Sequence, residues 1–192
     1  FSEQLSHRGP DGEGFYIQNQ VTLLNRRLAI IDRKGGDQPI FNEDKSVVVT
    51  YNGEIYNYLK LRQELDSNGH VFKTNSDTEV IVHGYEEWGD KCFDRFNGMF
   101  AVALFDIKKE KFILARDHFG IKPLYYALVG RDVINHVSTE VIKIIFSSEI
   151  KPIINSGLIA KKPNDRIIYR YLRYRIHDDQ RETFFEGVNR LK

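Results

Sequence analysis

The sequence has 192 residues, 41% apolar and 29% charged, with Lys plus Arg at 28, Asp plus Glu at 27, and a single cysteine. One cysteine excludes an internal disulfide framework and a cysteine-built zinc site, and a formal charge of +1 gives no global pull toward nucleic acid or an anionic membrane. The apolar content argues against disorder, no stretch approaches the roughly 18 apolar residues that span a bilayer, and no signal peptide is visible, so a cytoplasmic globular chain is expected.

Gly14 to Gln18 and Val21 to Asn25 flank the polar pair Asn19-Gln20 and predict a hairpin. Arg27 to Ile31 continues extended until Gly35-Gly36-Asp37 breaks it. Ser46 to Tyr51 is rich in β-branched residues and reads as a buried strand. Tyr58, Leu61 and Leu65 then recur at helical spacing, with Gly69 as a natural C-cap. A short strand is expected at His70 to Lys73. Ser76-Asp77-Thr78-Glu79 matches a capping box, followed by a helical face of Val80, Ile81, Tyr85 and Trp88. Met99 to Phe105 and Phe112 to Ala115 predict a second hairpin across a polar turn. Leu124 to Leu128 and Ile142 to Phe146 are further strands, Ser148 is placed to cap a short helix through Ile154, and Asp165 to about Arg175 reads as a last helix. Many strands joined by short turns, with about four helices in separate places, predict an α+β architecture of antiparallel sheets with helices outside.

Standard sites are weak. His7, His70, His83, His118, His136 and His177 show no metal-ligand spacing, and no carboxylate joins them in a known motif, so no metal is expected. Gly9, Gly12 and Gly14 follow no strand and open no helix, which fails the dinucleotide test. Arg166 to Arg175 interleaves basic and aromatic residues and could suit single-stranded nucleic acid. The blander reading is an amphipathic helix with Ile168, Leu172 and Tyr169 inward and the arginines solvated. Three polar-glycine clusters remain: residues 6–12, 51–57 and 75–79. Each could be turn chemistry alone. With Arg27 they also supply what an amino acid needs: a fork for its carboxylate, two carboxylates (Glu54 and Asp77) for its ammonium, and Asn52 beside the Gly53 N–H for an oxyanion.

Several strings carry a family resemblance: Arg8-Gly9-Pro10-Asp11-Gly12, Arg27-Leu28-Ala29-Ile30-Ile31-Asp32, Tyr51-Asn52-Gly53-Glu54-Ile55-Tyr56-Asn57, Ser76-Asp77-Thr78-Glu79-Val80 and residues 116–126. In order and spacing they resemble the glutaminase (class II glutamine amidotransferase) domain of glutamine-hydrolysing asparagine synthetases. The resemblance continues through Asn97 to Ala101, Ser147 to Lys151 and Thr183 to Val188. It implies the N-terminal-nucleophile fold, a four-layer α/β/β/α sandwich of two antiparallel sheets. It implies hydrolysis of glutamine to glutamate and ammonia, by an N-terminal cysteine whose α-amine acts as base. By the same resemblance Arg27 binds the glutamine α-carboxylate, Asn52 and Gly53 form the oxyanion hole, and Glu54 and Asp77 lie near the α-ammonium. Arg26 is read as a surface or structural charge.

That cysteine is expected a few tens of residues ahead of Arg8, whereas the one cysteine present, Cys92, reads as a small buried hydrophobe. The sequence also begins at Phe1 rather than at a methionine. The expectation is therefore a glutaminase domain over residues 1–160 that lacks its first strand and nucleophile and is inactive alone. Residues 161–192 would lead into an absent C-terminal synthetase domain, which would use the ammonia to amidate aspartate with ATP and magnesium. No cofactor is expected in this domain, and neither nucleic acid nor membrane as partner; a homodimer is left open. The alternatives are a non-catalytic scaffold of the same fold, as in β-lactam-synthetase-like proteins, and a nucleic-acid module built on residues 166–175. Intact Arg27, Asn52, Gly53 and Asp77 argue against the scaffold.

Overall fold

Two runs of β-branched and aromatic residues, 47–55 and 98–106, pair to make the centre of the larger sheet. The computed structural model describes residues 1–18, 20–130, 143–176 and 181–192. Residues 2–122 form one unit and residues 123–192, with Phe1, another.

In the first unit β1 (Gly12–Gln18) and β2 (Val21–Arg27) form the expected antiparallel hairpin. A four-stranded antiparallel sheet follows, ordered β3 (Ile40–Phe41), β4 (Val47–Ile55), β5 (Gly98–Asp106) and β6 (Lys111–Arg116). Strands β4 and β5 are buried on both faces, which is why they read as continuous apolar runs. One face carries Val47, Val49, Tyr51 and Ile55 from β4 and Phe100, Val102 and Leu104 from β5. Packed into the same core are Leu61 and Leu65 of α1 (Tyr58–Ser67) and Val80, Ile81, Val82 and Tyr85 of α2 (Glu79–Trp88). The i, i+4 spacing of Leu61 and Leu65 puts both on the helix's inward face. Each side chain buried this way stabilises the fold by about 1.5–3 kcal/mol.

Gly69 ends α1 in the left-handed region at φ +98, and the His70 N–H bonds the Leu65 carbonyl at 3.1 Å, a Schellman-type stop. Beyond it, no strand forms at His70 to Lys73. The Val71 N–H goes to Glu43, and the Lys73 and Thr74 N–H groups go to the Glu79 carboxylate, so side chains satisfy the backbone in place of a neighbouring strand. This also undoes the expected capping box. Glu79 turns away from Ser76, the N-cap is Thr78 with no side-chain cap bond, and the Ser76 hydroxyl bonds the Thr78 side chain and N–H. The extended stretch after Arg27 is also shorter than expected, since β2 ends at that residue.

In the second unit β7 (Tyr125–Val129) lies between β8 (Lys143–Ser147) and β9 (Val188–Arg190), all antiparallel. Ile142, the expected start of β8, lies outside the described residues, as does Asn19. Strand β9 falls in the tail, which carries no periodic signal. The short helix α3 (Ile150–Ile154) has Glu149 rather than Ser148 as its N-cap. In α4 (Asp165–Tyr174) the Asn164 side chain caps Ile167 at 3.3 Å. Its buried residue is Ile167, whereas Tyr169 and Leu172, expected inward, are 60% and 66% exposed. The α+β architecture of antiparallel sheets stands as the sequence predicts.

Candidate active site

Strand β2 delivers Arg27 at its last position, with the residue 9% exposed. Its guanidinium is encircled by the loop that follows. Nη2 donates to the Ile31 and Asp32 carbonyls at 3.1 and 2.6 Å, and Nη1 donates to the Arg33 carbonyl at 3.2 Å and the Asp37 carboxylate at 2.8 Å. Three carbonyls thus hold the planar group, and one carboxylate lies on it. The Asp37 side chain is 82% exposed, so that carboxylate can leave for water at little cost. Arg26 points the other way and pairs across the hairpin with Glu13 at 2.9 Å, as alternation along a strand requires.

Asn52, Gly53 and Glu54 are consecutive on β4. Gly53 lies opposite Phe100, and a Cβ there would sit 2.1 Å from the Met99 carbonyl oxygen. The close approach of β5 therefore requires glycine, whatever its N–H does. Asp77, at the entry to α2, is 4% exposed. Its Oδ2 accepts from the Tyr51 hydroxyl at 2.8 Å and from the Ile55 N–H at 3.0 Å. These bonds lash the 75–78 turn to β4 on either side of Asn52 to Glu54. Burial raises the Glu54 carboxyl above its ordinary range, the Asp77 charge raises it further, and Lys122 partly offsets both. Burial and Asp77 likewise push the Tyr51 hydroxyl up, so it stays a donor.

Two connecting residues carry no sequence signal of their own. Asp32, at φ +46, gives its carbonyl to Arg27 while its carboxylate accepts the Asn75 N–H at 2.8 Å and the Gly35 N–H at 2.9 Å. Those N–H bonds hold its carboxyl below the usual range, assisted by Arg27. Gln38 accepts the Tyr51 N–H at 2.6 Å and the Asn25 side chain at 3.2 Å, acting as a one-residue stand-in for a strand at the edge of β4. A run of contacts therefore links Arg27 through Asp32 to the 75–78 turn, and Asp77 through Tyr51 and Ile55 to Asn52, Gly53 and Glu54. Cys92 lies apart from this run. It is fully buried in the core, and burial first, then Asp90, pushes its thiol up to about 12, so it is inert as a nucleophile.

A forked cation, two neighbouring carboxylates and an Asn-Gly pair within one connected scaffold suit a free amino acid. The family described as the glutamine amidotransferase domain matches residues 1–192; the chain belongs to that family. It is similar to asparagine synthetase [glutamine-hydrolyzing] 2 of Oryza sativa subsp. japonica, 53% identical over 124 residues, which cover 65% of this chain and 21% of that protein. Asparagine synthetase [glutamine-hydrolyzing] 2 of Bacillus subtilis is 47% identical over 150 residues, covering 78% of this chain and 18% of that one. Among solved structures, the glutamine phosphoribosylpyrophosphate amidotransferase of B. subtilis matches with a TM-score of 0.47 and 22% identity, over 62% of this chain and 26% of that one. The chain spans about a fifth of the length of these curated relatives.

Proposed function

We propose that residues 1–192 are the glutamine-hydrolysing part of an asparagine synthetase. Arg27 takes the glutamine α-carboxylate in place of Asp37. Glu54 and Asp77 take the α-ammonium. The Asn52 side chain and the Gly53 N–H stabilise the oxyanion formed when a cysteine thiolate attacks the side-chain amide. The ammonia released would amidate aspartate, with ATP and magnesium, in a synthetase domain of the full-length cytoplasmic protein. The observation that supports this best is the anchoring of Asp77 to Tyr51 and Ile55, which sets a second carboxylate beside the Asn52-Gly53-Glu54 strand.

A non-catalytic scaffold is the competing reading. Arg27, Gly53 and Asp77 each have a job in the fold, so their presence alone does not separate the two; a rate does. In the full-length protein, ammonia release from glutamine is expected, and Arg27→Ala should raise KM about 10- to 100-fold, the worth of a charge-assisted hydrogen bond, with a smaller effect on kcat. Wild-type KM in that variant would refute the carboxylate role. No ammonia release by the wild type would favour the scaffold.

A further inference from the structure

Between the start of β4 and the helices that cover it lies a second cluster, which the glutaminase reading does not use. Glu43 follows β3, His70 follows α1, and His83 and Glu86 are one turn apart on α2. One ligand atom from each of these four residues lies within 4.8 Å of the others. His83 is the core of the group. Its side chain is 1% exposed, and neither ring nitrogen makes a hydrogen bond. Leaving both nitrogens of a buried imidazole unbonded is costly unless something else satisfies them.

We propose that Glu43, His70, His83 and Glu86 form a four-ligand site for a divalent transition metal of zinc's class. The first support is spacing. A tetrahedral ion with bonds of about 2.0–2.1 Å needs ligand atoms about 3.3 Å apart. His83 Nδ1 lies 3.1 Å from Glu43 Oε2 and 3.5 Å from Glu86 Oε2, and His70 Nδ1 lies 3.4 Å from Glu43 Oε1 and 3.9 Å from Glu86 Oε2. Both histidines thus present Nδ1 to the same two carboxylates, with ring centroids 5.1 Å apart.

The second support is the outer layer. Metal-bound histidines direct their other nitrogen to a carboxylate or carbonyl, which fixes ring and tautomer. His83 Nε2 faces Glu79 at 3.6 Å, and His70 Nε2 faces Glu87 at 3.4 Å. The ligand carboxylates are held in turn, Glu43 by the Val71 N–H at 3.0 Å and Glu86 by the Asn42 side chain at 2.7 Å. Two imidazoles and two carboxylates balance a divalent charge and suit zinc, cobalt or nickel rather than magnesium or calcium, which prefer oxygen alone. His70, at 14% exposure, with Glu43 and Glu86 at 34% and 29%, leaves the rim open to an entering ion.

Such a site would pin three segments that no strand pairing joins: the β3–β4 turn, the end of α1 and the middle of α2. It acts as a structural staple, distinct from the candidate active site.

The test uses full-length protein stripped with a chelator and titrated with Co2+, read by visible absorption, then with Zn2+. One equivalent of Co2+ should bind with the intense spectrum of a tetrahedral ion and be displaced by Zn2+, and Zn2+ should raise the melting temperature. His70→Gln and Glu86→Gln, both at the rim and checked for native circular dichroism, should abolish the spectrum. Glu87→Gln should weaken Co2+ binding about 10- to 100-fold. Absence of the tetrahedral spectrum in the wild type overturns the proposal and leaves the cluster as an imidazolium held among carboxylates. An undiminished spectrum in both rim variants also overturns it, because the metal then binds elsewhere.

Discussion

At the scale of single residues, the proposed site asks Glu54 and Gly53 to serve chemistry on top of the places they hold in the fold. The Glu54 carboxyl titrates above its ordinary range through burial and its neighbour Asp77. It is ionised, and able to hold an ammonium, only above that raised pKa. Glutamine KM should therefore rise on the acid side at a higher pH than an ordinary Glu near 4.3 would give, and Glu54→Gln should remove that dependence; an unaltered profile in the variant would assign it to another group. Gly53→Ala drives a methyl into the Met99 carbonyl and should cost about 1–3 kcal/mol as overpacking, read as a lower denaturant midpoint before any assay. Residues that announce themselves by type, such as Arg27 or the Asn-Gly pair, can be proposed for the site from the sequence. Gln38 and Asp32 cannot, because their roles come from partners 13 and 43 positions away that no local pattern encodes.

At the scale of elements, sequence pattern located β1, β2, β4 to β8 and the four described α-helices, but not the 3-10 helices Ser2–Arg8 and Gly89–Arg95. The missing strand at His70 to Lys73 and the lost capping box share one cause: side chains competing with secondary structure for backbone groups. His70 to Lys73 has strand-like composition, yet Glu43 and Glu79 take its N–H groups, so no ladder forms. Asp117 does the same at the end of β6. Its carboxylate, 4% exposed, accepts from Ile121 at 2.8 Å, Lys122 at 3.0 Å and Phe100 at 3.2 Å. Burial would raise its pKa, but these N–H groups and Arg116 lower it. With the folded value below the unfolded one of about 3.9, its stabilisation is complete above that pH and lost as pH falls further. Asp117→Asn should lower stability at pH 7 by about 1.5–3 kcal/mol, and the gap between the two proteins should close below about pH 4. A gap independent of pH would show that shape, not charge, is what matters there.

At the scale of the whole molecule, the described residues contain no helix long and apolar enough to cross a membrane, and the chain spans about a fifth of its curated relatives. The proposed division of labour therefore has to be tested on the full-length protein. Asn52→Ala should lower glutamine-dependent amidation about 10²- to 10³-fold, the usual loss of an oxyanion donor, while amidation supported by added ammonium stays near wild type. Equal loss in both assays would mean that the substitution damages the fold rather than the glutaminase step. The sequence motifs pointed to this function but could not show how the parts are joined. That depends on long-range bonds such as Asp77 to Tyr51, 26 positions apart.

The carboxylate of Asp37 on Arg27 bears on selectivity. An arginine already carrying a carboxylate gains little net attraction when another replaces it, so in the proposed site binding becomes an exchange of one anion for another. Casual anions that make a single contact then have nothing to gain over Asp37. A ligand that spans from the guanidinium to Glu54 and Asp77 gains at its far end what the exchange withholds at the near one. Discrimination then rests on length and on the second charge rather than on anion affinity, which favours a whole amino acid over its fragments.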